Sequence, residues 1–145
     1  HLPATLEEGV AVRVPAFVGD ALESAKDDGE LERVTVGVKI VQTCPEDRLS
    51  FRLNGTDLPQ DDARVSTYYG GTVAYFLVKV GMPGRINTYY WFEFDVPLGV
   101  IRQGENEIEV TMDRHFKGLT AERVLHNVEV SINYKEPPVP VQGQM

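Results

Sequence analysis

Apolar and polar residues alternate with period two again and again along this chain, and such a pattern folds as β-strands. In GVAVRV, Val10, Val12 and Val14 point one way, and Ala11 and Arg13 the other. In RVTVGVKI, Val34, Val36, Val38 and Ile40 share a face opposite Thr35, Gly37 and Lys39. RLSFRL puts Leu49, Phe51 and Leu53 inside, and NEIEVTMD does the same with Ile108, Val110 and Met112. NVEVSINY sets Val128, Val130, Ile132 and Tyr134 against Asn127, Glu129, Ser131 and Asn133. Strands of this kind belong to antiparallel sheets with one packed and one wet face. Two more runs, TVAYFLVKV (residues 72–80) and TYYWFEFDV (residues 88–96), are apolar on both sides. Seven strands are expected, with a short eighth at residues 63–67. Turn pairs separate them: Asn54-Gly55, Gly70-Gly71, Pro83-Gly84 and Gln103-Gly104.

One segment reads as helix. DALESAKDDG has Asp20 as N-cap, Glu23 three residues on, a stripe of Ala21, Leu22 and Ala25, and Gly29 as the stop. Two antiparallel sheets packed face to face would bury all the apolar faces together. The predicted architecture is an all-β, two-sheet antiparallel jelly-roll sandwich with one short helix. The immunoglobulin-type sandwich is the competing arrangement, but the paired cysteines that would support it are missing. At 145 residues the chain makes one domain, placed at residues 1–135. Residues 136–145, with Pro137, Pro138 and Pro140, read as an extended tail.

The charge of −8, from 22 acidic and 14 basic residues, repels phosphate backbones, so nucleic acid is not an expected partner. No apolar run has the length to cross a bilayer, so no membrane partner is expected either. Cys44 is the single cysteine, reads as a small buried residue beside Pro45, and leaves the redox compartment open. No GxSxG, HExxH, phosphate-binding or dinucleotide-binding loop occurs, and no cofactor is indicated. His1, His115 and His126 form no paired spacing for a transition metal. Two acidic clusters, Asp27, Asp28 and Glu30, then Asp61 and Asp62, lack the spacing of a calcium loop and read as solvated. Asn54-Gly55-Thr56 is formally a glycosylation acceptor, but Asn-Gly between two strands signals a hairpin turn.

The stretch TYYWFEFDV sets five aromatic rings within six positions. Alternation divides it: Tyr90, Phe92, Phe94 and Val96 form the core face, and Tyr89, Trp91, Glu93 and Asp95 form the other. Rings beside carboxylates are what a sugar platform needs, with Arg85 or Asn87 as further hydroxyl partners. The competing reading has Trp91 covered by a loop or an adjoining domain. Glu93 and Asp95 also stand about 7 Å apart by strand rise, which suits an acid and base pair. Any strand with alternating acids does the same. In TVAYFLVKV, Val73, Tyr75 and Leu77 would add an outward apolar stripe beside Tyr89 and Trp91, of the kind that marks interfaces.

The segment WFEFDVPLGVIRQGENEIEV (residues 91–110) resembles galactose-binding-like jelly rolls, through Phe94-Asp95-Val96-Pro97, Val100-Ile101 and Gly104-Glu105-Asn106. Pro97 would end the strand, Val100 and Ile101 would tuck beneath the sandwich, and Asn106 would bond the loop backbone. DRLSFRLNGTDLP is similar to the companion hairpin of such modules, and DALESAKDDGELERVTVGVKI to their first crossover. The likeness spans residues 9–135. It implies a non-catalytic accessory domain of a larger, carbohydrate-active protein, packed against an adjoining catalytic or other domain. The alternative it implies is a module binding oligo- or polysaccharide through Tyr89, Trp91, Glu93 and Asp95. A free-standing hydrolase is the third class. A chain opening on His1 rather than Met is expected of a processed protein or a module cut from a longer one.

Overall fold

The structure is a computed structural model that describes residues 2–19, 22–29, 31–69 and 88–135. Among these, the strands are β1 (Ala4–Thr5), β2 (Ala11–Val18), β3 (Leu31–Val41), β4 (Arg48–Leu53), β5 (Thr56–Leu58), β6 (Arg64–Tyr69), β7 (Thr88–Asp95), β8 (Gly104–Arg114) and β9 (Val124–Tyr134). They form two antiparallel sheets, one ordered β1-β9-β3-β7-β6 and the other β2-β8-β4-β5. The chain changes sheet between β1 and β2, β2 and β3, β3 and β4, β5 and β6, β7 and β8, and β8 and β9. That winding is the expected jelly-roll sandwich. The short helix α1 runs Leu22–Asp27 and buries Leu22, and Gly29 ends it with φ of 72°. Residue 20, the predicted cap, lies outside the described residues, as do the run 72–80, the turns at 70–71 and 83–84, and the tail 136–145.

The alternation is seen most cleanly in β4, where Leu49, Phe51 and Leu53 are buried and their neighbours exposed. Phe51 joins the two sheets: its ring centroid lies 5.2 Å from that of Phe92 and 5.0 Å from that of Phe94. Val34, Val36, Val38 and Ile40 of β3 complete the centre of the core. The short eighth strand is β6, one residue later than expected and longer. β2 runs on through Pro15, which an edge strand tolerates because no neighbour needs its missing N–H. Tyr134, assigned to the core face, is 42% exposed, because β9 ends there at the rim beside Leu31. Val10 is likewise exposed, standing before β2 begins.

Loops are held by buried polar groups. Asn54 and Gly55 both have positive φ (51° and 83°), the conformation of a two-residue hairpin turn, and Leu53 pairs with Thr56. The Asn54 amide nitrogen donates to Val100 O and to Asn106 Oδ1, both at 2.8 Å. It is thus a structural turn residue, as expected. Asn106 is buried, accepts from Arg102 N, and donates to Arg102 O and Gly104 O. Ile101 tucks into the core as expected, with Val100 half-buried beside it. At the other end, Arg123 Nε and Nη2 clasp Asp47 at 2.7 and 2.9 Å, and both residues are buried. Arg123 also donates to the carbonyls of Phe116, Leu119 and Ala121, so one ion pair fastens the whole loop between β8 and β9.

Candidate functional site

The outer face of the five-stranded sheet carries Tyr89, Trp91, Glu93 and Asp95, the four platform residues named from the sequence. β7 turns Tyr89, Trp91, Glu93 and Asp95 outward, between β3 on one side and β6 on the other. Register places Lys39 opposite Trp91 and Gly37 opposite Glu93 on β3, and Arg64 opposite Glu93 on β6. Arg85 and Asn87 lie outside the described residues.

Trp91 does not stand out from the sheet. Its six-membered ring lies across Gly37, where an added Cβ would come within 1.9 Å of Cζ2. The indole is half-buried, and its Nε1–H donates to Glu93 Oε2 at 3.3 Å. This explains one departure from simple alternation. Thr35 and Gly37 point outward yet are buried, so the face expected to be wet is covered at the middle of β3. Tyr89 leans on the same strand, and Lys39 Nζ sits 4.0 Å from its ring centroid, a cation–π contact. Both rings reach the β3 residue diagonal to them, as long side chains do across antiparallel strands.

The carboxylates are tied to one guanidinium. Arg64 Nη2 lies 2.5 Å from Glu93 Oε1, and Nη1 lies 2.7 Å from Asp95 Oδ2, with a second contact to Asp95 at 3.1 Å. Arg64 therefore holds both carboxyls below their ordinary values, against a smaller upward push from burial. Glycoside hydrolysis needs one carboxyl kept protonated near neutral pH. Glu93 and Asp95 are both held in the opposite direction, below their ordinary values. Arg33, Lys39 and Arg64 balance Glu93, Asp95 and Glu129 on this face, within a chain of net charge −8.

Arg64, Gly37 and Lys39 are the partners that reading β7 alone misses. The alternating RVSTYY of β6 was the available signal for Arg64, since a strand there must pair with something. No signal marked Gly37, because a glycine in a strand fits a bulge as well as a close approach. Gly37→Ala is expected to push the Trp91 ring off the sheet. Overpacking of this kind costs about 1–3 kcal/mol, and the indole emission should shift to the red with easier quenching. An unchanged spectrum and melting curve would mean that the ring does not rest on Gly37.

Other predicted groups are placed elsewhere. Cys44 is half-buried at the Asp47 end, and burial pushes its thiol above the ordinary value. His115 Nδ1 stands 2.5 Å from Glu8 Oε2, while His126 is exposed where β9 slips register against β3. Among the described residues, no three His, Cys, Asp or Glu side chains converge as a metal site would require. A scan against protein-family models and a search of curated proteins both find no match to this chain.

Proposed function

We propose that this chain is a non-catalytic accessory domain of a larger, carbohydrate-active protein, docking on an adjoining domain through the outer face of its five-stranded sheet. The observation that carries the reading is the Trp91 ring laid over Gly37, its N–H taken by Glu93, with Arg64 bridging Glu93 and Asp95. Arg64 binds both carboxylates and Arg33 acts on each through space, so covering the face does not strand either acid without a cation, the costly case at an interface. The face is also held in place beforehand, and ordering costs on association fall accordingly.

The second reading is a carbohydrate-binding module. It is favoured by the same flat indole, with carboxylates of Glu93 and Asp95 at its edge to accept from sugar hydroxyls. Trp91 is the sole tryptophan, so its emission separates the two. Docking predicts that acrylamide quenching of this chain falls several-fold in the longer parent protein, and that soluble oligosaccharides leave the emission unchanged. A saturable shift with one sugar class, lost in Trp91→Ala while the fold persists, would replace docking by sugar binding. Equal quenching in both proteins would remove the docking face.

A further inference from the structure

Asn54-Gly55 is the only Asn-Gly pair in the chain, and its two residues sit in opposite environments. Gly55 is exposed, and an added Cβ would meet nothing within 4 Å, so nothing crowds its backbone nitrogen. The Asn54 side-chain amide is engaged at both of its polar atoms. Its nitrogen donates to Val100 O and Asn106 Oδ1, both at 2.8 Å, and its oxygen accepts from Glu107 N at 2.9 Å. The amide has two donors, and both are taken. The partners come from β8 and the loop before it, 46 to 53 residues further along the chain. One side chain thus fastens the tip of the β4–β5 hairpin to its neighbours.

We infer that Asn54 is a deamidation site that the fold holds shut, and that the reaction, once it occurs, keeps the hairpin tip from docking again. The Gly55 nitrogen attacks Asn54 Cγ. The new N–Cγ bond closes a five-membered succinimide, the Cγ–Nδ2 bond breaks, and Nδ2 leaves as ammonia with the Gly55 proton. Water then opens the ring at either carbonyl, leaving aspartate or isoaspartate at position 54. Attack is easiest from a nitrogen whose own residue has no side chain, which glycine supplies. It also requires Cγ to swing towards that nitrogen, and the three side-chain bonds oppose the swing. Breaking three hydrogen bonds of ordinary strength slows ring closure about a hundredfold relative to the unfolded chain.

The product cannot rebuild the joint. A carboxylate only accepts, and Val100 O and Asn106 Oδ1 are themselves acceptors, so each would face an oxygen where a donor stood. Isoaspartate also adds a carbon to the backbone of a turn that Leu53 and Thr56 close by pairing. An opening of the hairpin tip is therefore recorded as a lasting covalent change. The site belongs to the four-stranded sheet, so it goes beyond the docking reading and stands or falls apart from it.

The test follows the whole chain at mildly alkaline pH, in buffer and in concentrated guanidinium chloride, by mass mapping of the peptide that holds Asn54, with isoaspartate quantified. The expected result is conversion about a hundredfold slower in buffer than in denaturant. Asn106→Ala, which removes one acceptor of the amide, should speed the reaction in buffer about fivefold or more. Gly37→Ala, on the other sheet, keeps all three bonds and should lower the melting temperature without changing the rate. Asn54→Asp, the aspartate product itself, should melt at a lower temperature than the parent chain. The inference is overturned if Asn54 converts as fast in buffer as in denaturant, or fails to convert in either. It is equally overturned if Gly37→Ala speeds conversion as much as Asn106→Ala, since global unfolding would then be the gate, or if Asn54→Asp melts with the parent chain.

Discussion

Asp47→Ala is expected to lower the unfolding free energy at pH 7 by about 3–5 kcal/mol, the cost of stranding a buried charge. For a domain of this size the melting temperature should drop by roughly 10–20 °C. Asp47 accepts from Arg123, from the Thr43 hydroxyl at 2.9 Å and from the Phe116 backbone N–H at 2.6 Å. Removing it leaves the Arg123 guanidinium buried with no anion, only carbonyls and the Cys44 sulfur as partners, and frees the loop between β8 and β9. Because much of the loss is that stranded cation, Asp47→Ala combined with Arg123→Met should cost less than the two single changes added together. A urea-melt double-mutant cycle measures this, and strict additivity would show that the pair does not act as one unit.

The same contact sets a pH dependence. Burial alone would raise the Asp47 carboxyl, but Arg123, the Phe116 N–H and the Thr43 hydroxyl outweigh it and hold the group below its ordinary value. An unfolded aspartate titrates near about 3.9. The folded value is lower, so the stabilisation is fully present above the unfolded value and is lost as pH falls through the folded one. The gap between the parent chain and Asp47→Ala should therefore be widest at neutral pH and shrink in acid below about pH 4. A gap independent of pH would assign the effect to packing instead of charge.

Asn106→Ala has the next largest expected effect, a loss of about 2–4 kcal/mol. The side chain is buried and accepts from Arg102 N at 3.0 Å and from the Asn54 amide at 2.8 Å. It donates to the carbonyls of Arg102 and Gly104, at 2.9 and 3.2 Å, and to Ala16 at 3.4 Å. An alanine there leaves those groups without their partner and fills none of the space. Asn106→Asp keeps the acceptor but buries a charge and turns a carboxylate oxygen on the carbonyls that the amide served, so it should cost at least as much as Asn106→Ala. Both values come from urea melts. A change within about 0.5 kcal/mol, the range of ordinary surface substitutions, would mean that water replaces the amide at no cost.

The fold was legible because the side-chain period of a strand is a local property. RLSFRL can bury Leu49, Phe51 and Leu53 in only one way, and β4 does so. The Asn54-Gly55 turn was legible for a similar reason, since positive φ at two successive residues selects those types. The site was legible by half. The outward set Tyr89, Trp91, Glu93 and Asp95 follows from counting along β7, but whether those groups are free or engaged does not. Arg64 reaches Glu93 and Asp95 from residues 29 and 31 positions away. Nothing within β7 announces it, and its strand is short.

The sequence by itself determined β2, β3, β4 and β6 to β9, most of their inward faces, the hairpin turn and the division of the aromatic run into core rings and outward rings. Each is dictated by backbone geometry acting over a few residues. Only the tertiary structure decided what the outward groups do. It laid Trp91 against Gly37, gave both acids to Arg64, closed Asp47 on Arg123 across 76 residues, and tied the Asn54 amide to Val100 and Asn106. Those outcomes depend on register between strands distant in sequence. A shift of one residue would have turned each of the strand side chains among them to the other face.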